Sequence, residues 1–177
     1  GNGSTTCPFH TIRRAYDVAS GATTIMLADG DYGANCTGGA PCDATPLTID
    51  KASISIQGTG ADKVTVAGPG RAIFVVKGAG GGFSKLSIKP TEIGAPNTVG
   101  HGIVYESAFS TPAPVISDVI IAVGKATVSD GDAGPGSGIV VGSTANPTIG
   151  PGVTISGGTT VIDVIGSGAP RVTATAS

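Results

Sequence analysis

Short β-rich segments separated by glycine-rich turns recur along most of this chain, and their spacing constrains the fold more than any other feature. In one series, the first residue is apolar and Ile or Val follows two residues later, at separations of 32, 33 and 34 residues. This series begins at Ile54, Leu86, Val119 and Val153. A second series, at separations of 30, 36 and 23 residues, consists of Ile73, Ile103, Ile139 and Ile162. A repeat of roughly 20 to 50 residues is typical of solenoids and arrays.

The segments alternate apolar residues with Ser or Thr, as in Ile54-Ser55-Ile56. A period of two places the apolar side chains on one face of a strand and the hydroxyl groups on the other. Stacked parallel strands would bury the apolar face, and single glycines such as Gly58 and Gly142 would let the backbone turn at corners. The pattern predicts a parallel β-solenoid, with a β-sandwich as the alternative because it also contains many short strands.

Residues 1–33 differ from the rest of the chain and predict a cap on the solenoid. Apolar residues recur there at helical spacing, namely Phe9, Ile12, Ala15, Tyr16 and Ala19. Pro8 suits the first turn of this helix, Thr6 or Cys7 would be its N-cap, and Gly21 would stop it. Residues 23–27 then predict a strand and residues 29–31 a turn. A terminal repeat needs such a cover because its apolar interior would otherwise meet water.

The same stretch carries a family resemblance. Its motifs are Gly1-Asn2-Gly3-Ser4, Pro8-Phe9-His10-Thr11-Ile12, Ala15, Ala19, Thr24-Ile25 and Asp29-Gly30-Asp31-Tyr32. This pattern resembles the head of right-handed parallel β-helix proteins of the pectate-lyase-like superfamily, in particular an uncharacterised domain at the start of many secreted bacterial β-helices. The resemblance implies an all-β, right-handed parallel β-helix with a short capping α-helix, secreted or displayed at a cell surface. We expect one domain over residues 1–177, with the cap in 1–33 and stacked coils in 34–177.

Both ends of the sequence predict self-association. Domains of this kind usually have a strand ahead of the Gly-Asn-Gly-Ser loop, whereas this chain starts at Gly1, and residues 169–177 form a strand-like segment without a capping helix. The strand of one copy could occupy the vacant slot of the next by strand addition, which builds a filament because the contact does not close. The residues predicted to take part are Gly1, Asn2, Gly3, Arg171, Val172, Thr173, Ala174 and Thr175. The alternative is a trimmed, monomeric chain.

The composition narrows the set of partners. Charged residues make up 12% of the chain, the net charge is -2 and the pI is about 5.5. A nucleic-acid partner is not expected, because it requires a clustered basic surface. A membrane-spanning helix is not expected either, because no apolar run approaches about 20 residues. The weakly charged, hydroxyl-rich outer faces are compatible with a surface polysaccharide.

Three cysteines, Cys7, Cys36 and Cys42, leave the disulfide pairing open. Cys36 and Cys42 bracket a short loop that a disulfide could close, whereas a bond from Cys7 to either of them would staple the cap to the first coil. Three free thiols are the remaining possibility. No cofactor is predicted, but the Asp-x-Asp spacing of Asp130 and Asp132 resembles part of a calcium loop. The distal Glu of a calcium loop is missing, so a plain glycine-rich turn is the favoured interpretation of that pair.

The sequence offers few residues that could carry out catalysis. His101 and Glu106 could form an acid–base pair, and Arg71 is a further isolated candidate. Pectate-lyase-type enzymes use clustered calcium-binding carboxylates and a basic residue on one face, a set that does not map onto this chain. We therefore expect a non-enzymatic extracellular structural or adhesive module. The alternatives are a polysaccharide lyase or glycoside hydrolase and a rigid spacer in a longer surface protein.

Overall fold

The computed structural model describes residues 3–4, 7–33, 42–78, 80–93, 98–106, 113–123, 136–142, 144–157, 160–165 and 170–172. Within these ranges it contains one helix and fifteen strands. In chain order these are α1 (Ile12–Val18), β1 (Thr23–Met26), β2 (Gly30–Gly33), β3 (Leu47–Ile49), β4 (Ile54–Gln57), β5 (Val64–Pro69), β6 (Ala72–Val76), β7 (Gly82–Ile93), β8 (Thr98–Val99), β9 (His101–Tyr105), β10 (Val115–Ala122), β11 (Ser137–Val141), β12 (Thr148–Ile149), β13 (Thr154–Ser156), β14 (Thr160–Val164) and β15 (Arg171–Val172).

The strands form two sheets that the chain visits in turn. The first sheet has the order β1-β4-β7-β10-β12-β15, with β2, β5, β8 and β13 paired beside this path. The second has the order β3-β6-β9-β11-β14. Among the described strands every pairing is parallel except that of β7 with β8. The predicted β-rich fold with parallel strands is therefore confirmed.

The core lies between the two sheets and consists of apolar side chains stacked in columns. Phe74 of β6 contacts Phe83 of β7 across the interior, with ring centroids 4.6 Å apart. In the second sheet one column of residues in register comprises Leu47, Phe74, Ile103, Ile139 and Ile162. The stacking explains why branched aliphatic residues dominate the core, because they fill the narrow space between the inner faces of the two sheets.

The two repeat series predicted from the sequence are correct over most of their length. Leu86 is in register with Val119, and Ile103 with Ile139. The first step of each series is wrong, because Ile103 faces Phe74 instead of Ile73, and Leu86 does not face Ile54. In the first sheet the reason is a turn between β4 and β5 that has no counterpart in the next repeat. In the second sheet the error is one residue, because Ile73 and Phe74 are adjacent apolar residues of β6.

A much shorter stretch of β7 replaces that turn. Gln57 pairs with Ser84 and Thr65 pairs with Ser87, so seven intervening residues of one repeat correspond to two of the next. Lys85 lies in this short stretch and has a φ of 55°, a left-handed conformation that bends the strand locally. Counting residues along the sequence could not reveal this difference, because both segments retain the alternation of apolar and polar residues.

The predicted helix start is also wrong. α1 begins at Ile12 rather than near Pro8, and its N-cap is Thr11, whose side chain accepts a hydrogen bond from the Arg14 amide at 3.1 Å. Cys7 instead forms an antiparallel bridge with Ser4, whose carbonyl accepts the Cys7 amide at 3.1 Å, so the chain reverses direction there. Thr6 lies outside the described residues.

Three strands lie where the sequence indicates none. Gly30 and Asp31 belong to β2, although residues 29–31 predict a turn. β8 and the end of β7 lie in residues 90–100, for which the sequence predicts a loop. β12 occupies a stretch without the alternating pattern. These short strands pair with neighbours already in place, so tertiary contacts outweigh their weak local preference.

Candidate functional site

An apolar groove of about 610 Å³ lies between α1 and β1, at the outer edge of the first sheet. The side chains of Phe9, Val18, Ile25 and Met26 line part of it. Met26 is 60% exposed and Val18 is 52% exposed, although both are large and apolar. Clusters of exposed apolar side chains beside a concave surface are characteristic of interaction sites.

The groove runs along a strand whose outer edge is unpaired within the described part of the chain. The amides of Thr23 and Leu27 donate to the carbonyls of Ser53 and Gln57, at 3.2 Å and 2.8 Å. In a parallel ladder alternate residues turn their backbone groups to opposite sides. The N–H and C=O groups of Thr24 and Met26 therefore point away from β4, where no described strand pairs with them. Such an edge is a template for another strand.

Gly3, which the sequence predicted to take part in self-association, lines the same groove. It has a φ of 84°, and a Cβ atom there would lie 2.5 Å from Cε2 of Phe9. Glycine is therefore required for Phe9 to pack closely against this backbone. Gly1 and Asn2, the other predicted residues at this end, lie outside the described residues.

A carboxylate remote in sequence fixes the beginning of α1. The amides of Ile12 and Arg13 donate to Oδ2 and Oδ1 of Asp43, both at 2.8 Å, and Asp43 is only 3% exposed. Burial raises the pKa of Asp43, whereas the two amide hydrogen bonds and the nearby Arg13 act in the opposite direction. The negative charge lies where the helix dipole is positive, which stabilises α1.

A lysine and a tyrosine fix the other end of α1. Lys51 Nζ donates to the carbonyls of Tyr16, Asp17 and Ala19 at 2.7, 2.8 and 2.9 Å. The Tyr16 hydroxyl accepts from the amides of Asp50 and Lys51 and donates to Oδ1 of Asp50 at 2.7 Å. This last hydrogen bond is the main cause that lowers the pKa of Asp50. Because these contacts flank β3, α1 is fastened along the edge of the second sheet, and it also contacts β1 beside the groove.

Exposed apolar side chains also gather at the opposite end of the sheets. Val164, Ile165 and Val172 are 41%, 56% and 60% exposed. Seven large apolar residues are exposed within the described ranges. Five of them lie either at this end or in the groove, where Val18 and Met26 are the exposed pair. Arg171 and Val172, both predicted self-association residues, form β15, whereas Thr173, Ala174 and Thr175 lie outside the described residues.

The structure places the candidate catalytic residues in two separate locations. The His101 amide donates to the Arg71 carbonyl at 2.8 Å, so these two residues are neighbours. Glu106 follows the far end of β9, five residues and therefore roughly 16 Å along an extended strand from His101. There it forms an ion pair with Lys77 at 3.1 Å. The structure does not bring His101 and Glu106 together.

His101 is a partly buried acceptor within the second sheet. Its Nδ1 accepts a hydrogen bond from the Ser137 amide at 2.9 Å. Burial lowers the pKa of His101, the charge of Arg71 adds to this effect, and the carboxylate of Asp163 opposes it. Protonation of Nδ1 would also eliminate the hydrogen bond from Ser137. The contacts favour the neutral imidazole and give His101 a structural role.

We expect the stability of the fold to fall as the pH drops below about 6.5, because the unfolded chain then takes up a proton at His101 that the folded state resists. The contribution is fully present above the unfolded pKa and is lost as the pH falls toward the lowered folded pKa. His101→Gln retains an acceptor for Ser137 without titrating. Urea unfolding from about pH 7 to about pH 5 should give a smaller loss of stability for His101→Gln. Parallel curves would contradict this role.

The remaining predictions concern cysteines and metal ligands. Cys42 is disulfide-bonded, whereas Cys7 is a free, exposed thiol, so the alternative in which Cys7 staples the cap does not occur. Cys36, Asp130 and Asp132 lie outside the described residues. Among the residues that are described, no group of three or more His, Cys, Asp or Glu side chains is arranged to hold a metal ion.

Sequence reasoning missed Asp43, Lys51 and the Tyr16 hydroxyl, which determine where the cap sits and thus where the groove opens. Their contacts span 30 to 35 residues and follow no period, so no local signal could have found them.

No helix in the described ranges is long and apolar enough to cross a membrane. No protein-family model matches the chain, and no match was found among curated proteins or solved structures.

Proposed function

We propose that this protein is a non-enzymatic structural or adhesive module, exposed outside the cell, that associates head to tail through the free edge of β1. The observation that carries the proposal is the outward-facing backbone of Thr24 and Met26 beside an apolar groove. A sheet edge with unpaired N–H and C=O groups promotes pairing with another chain unless charge, Pro or a cover blocks it. Here α1 is fastened along β3 and borders the groove beside β1, where the backbone of Thr24 and Met26 has no partner among the described strands.

The fold that we propose for this module is a right-handed parallel β-helix of the pectate-lyase-like kind. The regular alternation between two parallel sheets supports a solenoid, because each repeat adds strands to both sheets in register. A short helix at one end supports the cap that the resemblance of residues 1–33 implies. The handedness follows from that resemblance and from the general preference of parallel crossovers.

An extracellular location is supported by the disulfide at Cys42, since such bonds persist mainly in oxidising compartments. The low share of charged residues, 12%, is compatible with a protein that works in an assembly rather than alone.

A polysaccharide-degrading enzyme has less support among the described residues. Its candidate acid Glu106 is engaged by Lys77 at 3.1 Å, and Nδ1 of His101 is occupied by the Ser137 amide. A hydrolase of the usual type needs two carboxyl groups facing each other across a substrate groove. The groove described above is lined mainly by apolar side chains instead.

Sedimentation velocity over a range of concentrations tests the proposal. The 17.0 kDa chain should form larger species as its concentration rises. Met26→Lys places a charge at the free edge and should keep the protein monomeric, since charged side chains blunt an edge strand. Val115→Lys is the matched control, because Val115 is also exposed, at 45%, but lies on the side of the first sheet. The proposal fails if the unmodified chain stays monomeric at its highest soluble concentration.

A further inference from the structure

One column of core residues runs through the first sheet from the groove to the opposite end. Register pairs connect its six members, Ile25, Ile56, Phe83, Ile116, Ile149 and Val172. The first five are at most 7% exposed, whereas Val172 is 60% exposed. Val172 therefore occupies a core-type position in the column but is exposed.

A column in the second sheet behaves in the same way. It comprises Ile49, Val76, Tyr105, Val141 and Val164. Val76, Tyr105 and Val141 are at most 2% exposed, but Val164 is 41% exposed. The uncovered residue again lies at the end opposite α1, so both sheets present core-type side chains at the same end.

The two outer strands of the first sheet have matching direction. β1 and β15 bound the main path of strands, and all pairings along this path are parallel. A second copy displaced along the columns would therefore bring its β15 beside β1 with the polarity that the sheet already has. This contact is heterologous and leaves a free β1 and a free β15 at the ends of every assembly.

Resting on the proposed function, we infer that β15 of one copy adds to β1 of the next in the register of the columns. Val172 then enters the groove that Ile25 lines. Arg171 lies beside Thr24, since both belong to the column of outward-facing residues formed by Thr24, Ser55, Gly82, Val115, Thr148 and Arg171. The partner is a second copy of this chain because its β15 belongs to the same register column as β1 and has the strand polarity that β1 requires.

Charges on the second sheet and the cap are complementary in the same arrangement. Asp163 ends a column of residues on β14 that starts at Thr48 of β3, the edge over which α1 is fastened. α1 exposes Arg13 and Arg14. Arg13 already forms an ion pair with Asp17 at 3.1 Å. The carboxylate of one copy therefore faces Arg14 of the next copy's cap, which favours head-to-tail over head-to-head contact.

Cross-linking of single-cysteine variants tests this register. In a Cys7→Ser background, which removes the free exposed thiol, Thr24→Cys protein is mixed with Arg171→Cys protein and treated with a short thiol-specific cross-linker. We expect heterodimers from the mixture and at least about tenfold less cross-linked product from either variant alone. The double variant Thr24→Cys/Arg171→Cys should give a ladder of dimers, trimers and longer chains. Both positions are exposed, so neither change disturbs the core.

The mismatched pair Asp31→Cys with Arg171→Cys serves as the control, because Asp31 is exposed on β2 at the same end but lies in the column of Thr65. Equal cross-linking of both pairs, or none of either pair in a sample that sediments as oligomers, overturns the register and leaves the proposed function standing. Strong homodimers of Thr24→Cys alone would indicate head-to-head contact and also overturn it. A sample that neither cross-links nor sediments as oligomers contradicts the proposed function itself.

Discussion

Replacing Gly81 with Ala should lower the free energy of unfolding by more than about 4 kcal/mol, an effect that places it among the exceptional single substitutions. Gly81 has a φ of 70°, and a Cβ atom there would lie 1.9 Å from the carbonyl oxygen of Ile54. The Gly81 carbonyl also accepts the Val115 amide at 3.0 Å. The backbone at this point is therefore held between two neighbouring strands, and relief of the clash requires breaking strand pairing.

Gly21→Ala is the matched control for this substitution. Gly21 has nearly the same φ, 62°, but a Cβ atom there would meet nothing within 4 Å. Its replacement should cost about 1 kcal/mol, the penalty of a left-handed conformation alone. Urea unfolding monitored by far-UV circular dichroism measures both values. Equal, small losses for the two variants would show that the repeats are not packed as tightly as the structure indicates.

This contrast between two glycines illustrates the limit of sequence reasoning on the fold. Alternation of apolar and polar residues predicts most strands, because burial between parallel sheets imposes it on each segment separately. Whether a glycine is essential depends on which backbone lies beside it, and that is a property of the register. The same limit explains the error at Ile54, where the turn before β5 shifts the pairing without altering the pattern.

Part of the candidate site could be predicted because it lies at the ends of the repeat. Gly3, which the sequence predicted to take part in self-association, lines the groove, and Arg171 belongs to β15 at the opposite end of the first sheet. The free edge of β1, by contrast, depends on where α1 lies, and Asp43 and Lys51 decide this from positions about 30 residues away. Polar contacts of this kind leave no periodic trace in a single sequence, so the groove emerges only from the structure.

Replacing Asp43 with Ala should lower the free energy of unfolding by about 3 kcal/mol, the second large effect expected for this chain. The substitution leaves the amides of Ile12 and Arg13 without acceptors at a buried position, and unsatisfied buried groups that had a charged partner cost about that much. Asp43→Asn keeps one carbonyl oxygen but turns an amino group toward the second amide, so it should lose roughly half as much. Thermal and urea unfolding measure both losses.

Thr11→Ala provides the comparison that separates a buried tertiary contact from ordinary capping. Thr11 accepts the Arg14 amide at 3.1 Å in an exposed setting, and loss of such a cap costs about 1 kcal/mol. If Asp43→Ala costs no more than Thr11→Ala, α1 is not fastened through Asp43 as described.

If the larger loss is found, α1 should also detach more readily from the edge of β3. The edges of β1 and β3 would then both be open, so association should lose its preference for β1. Met26→Lys should therefore no longer prevent oligomers when it is combined with Asp43→Ala.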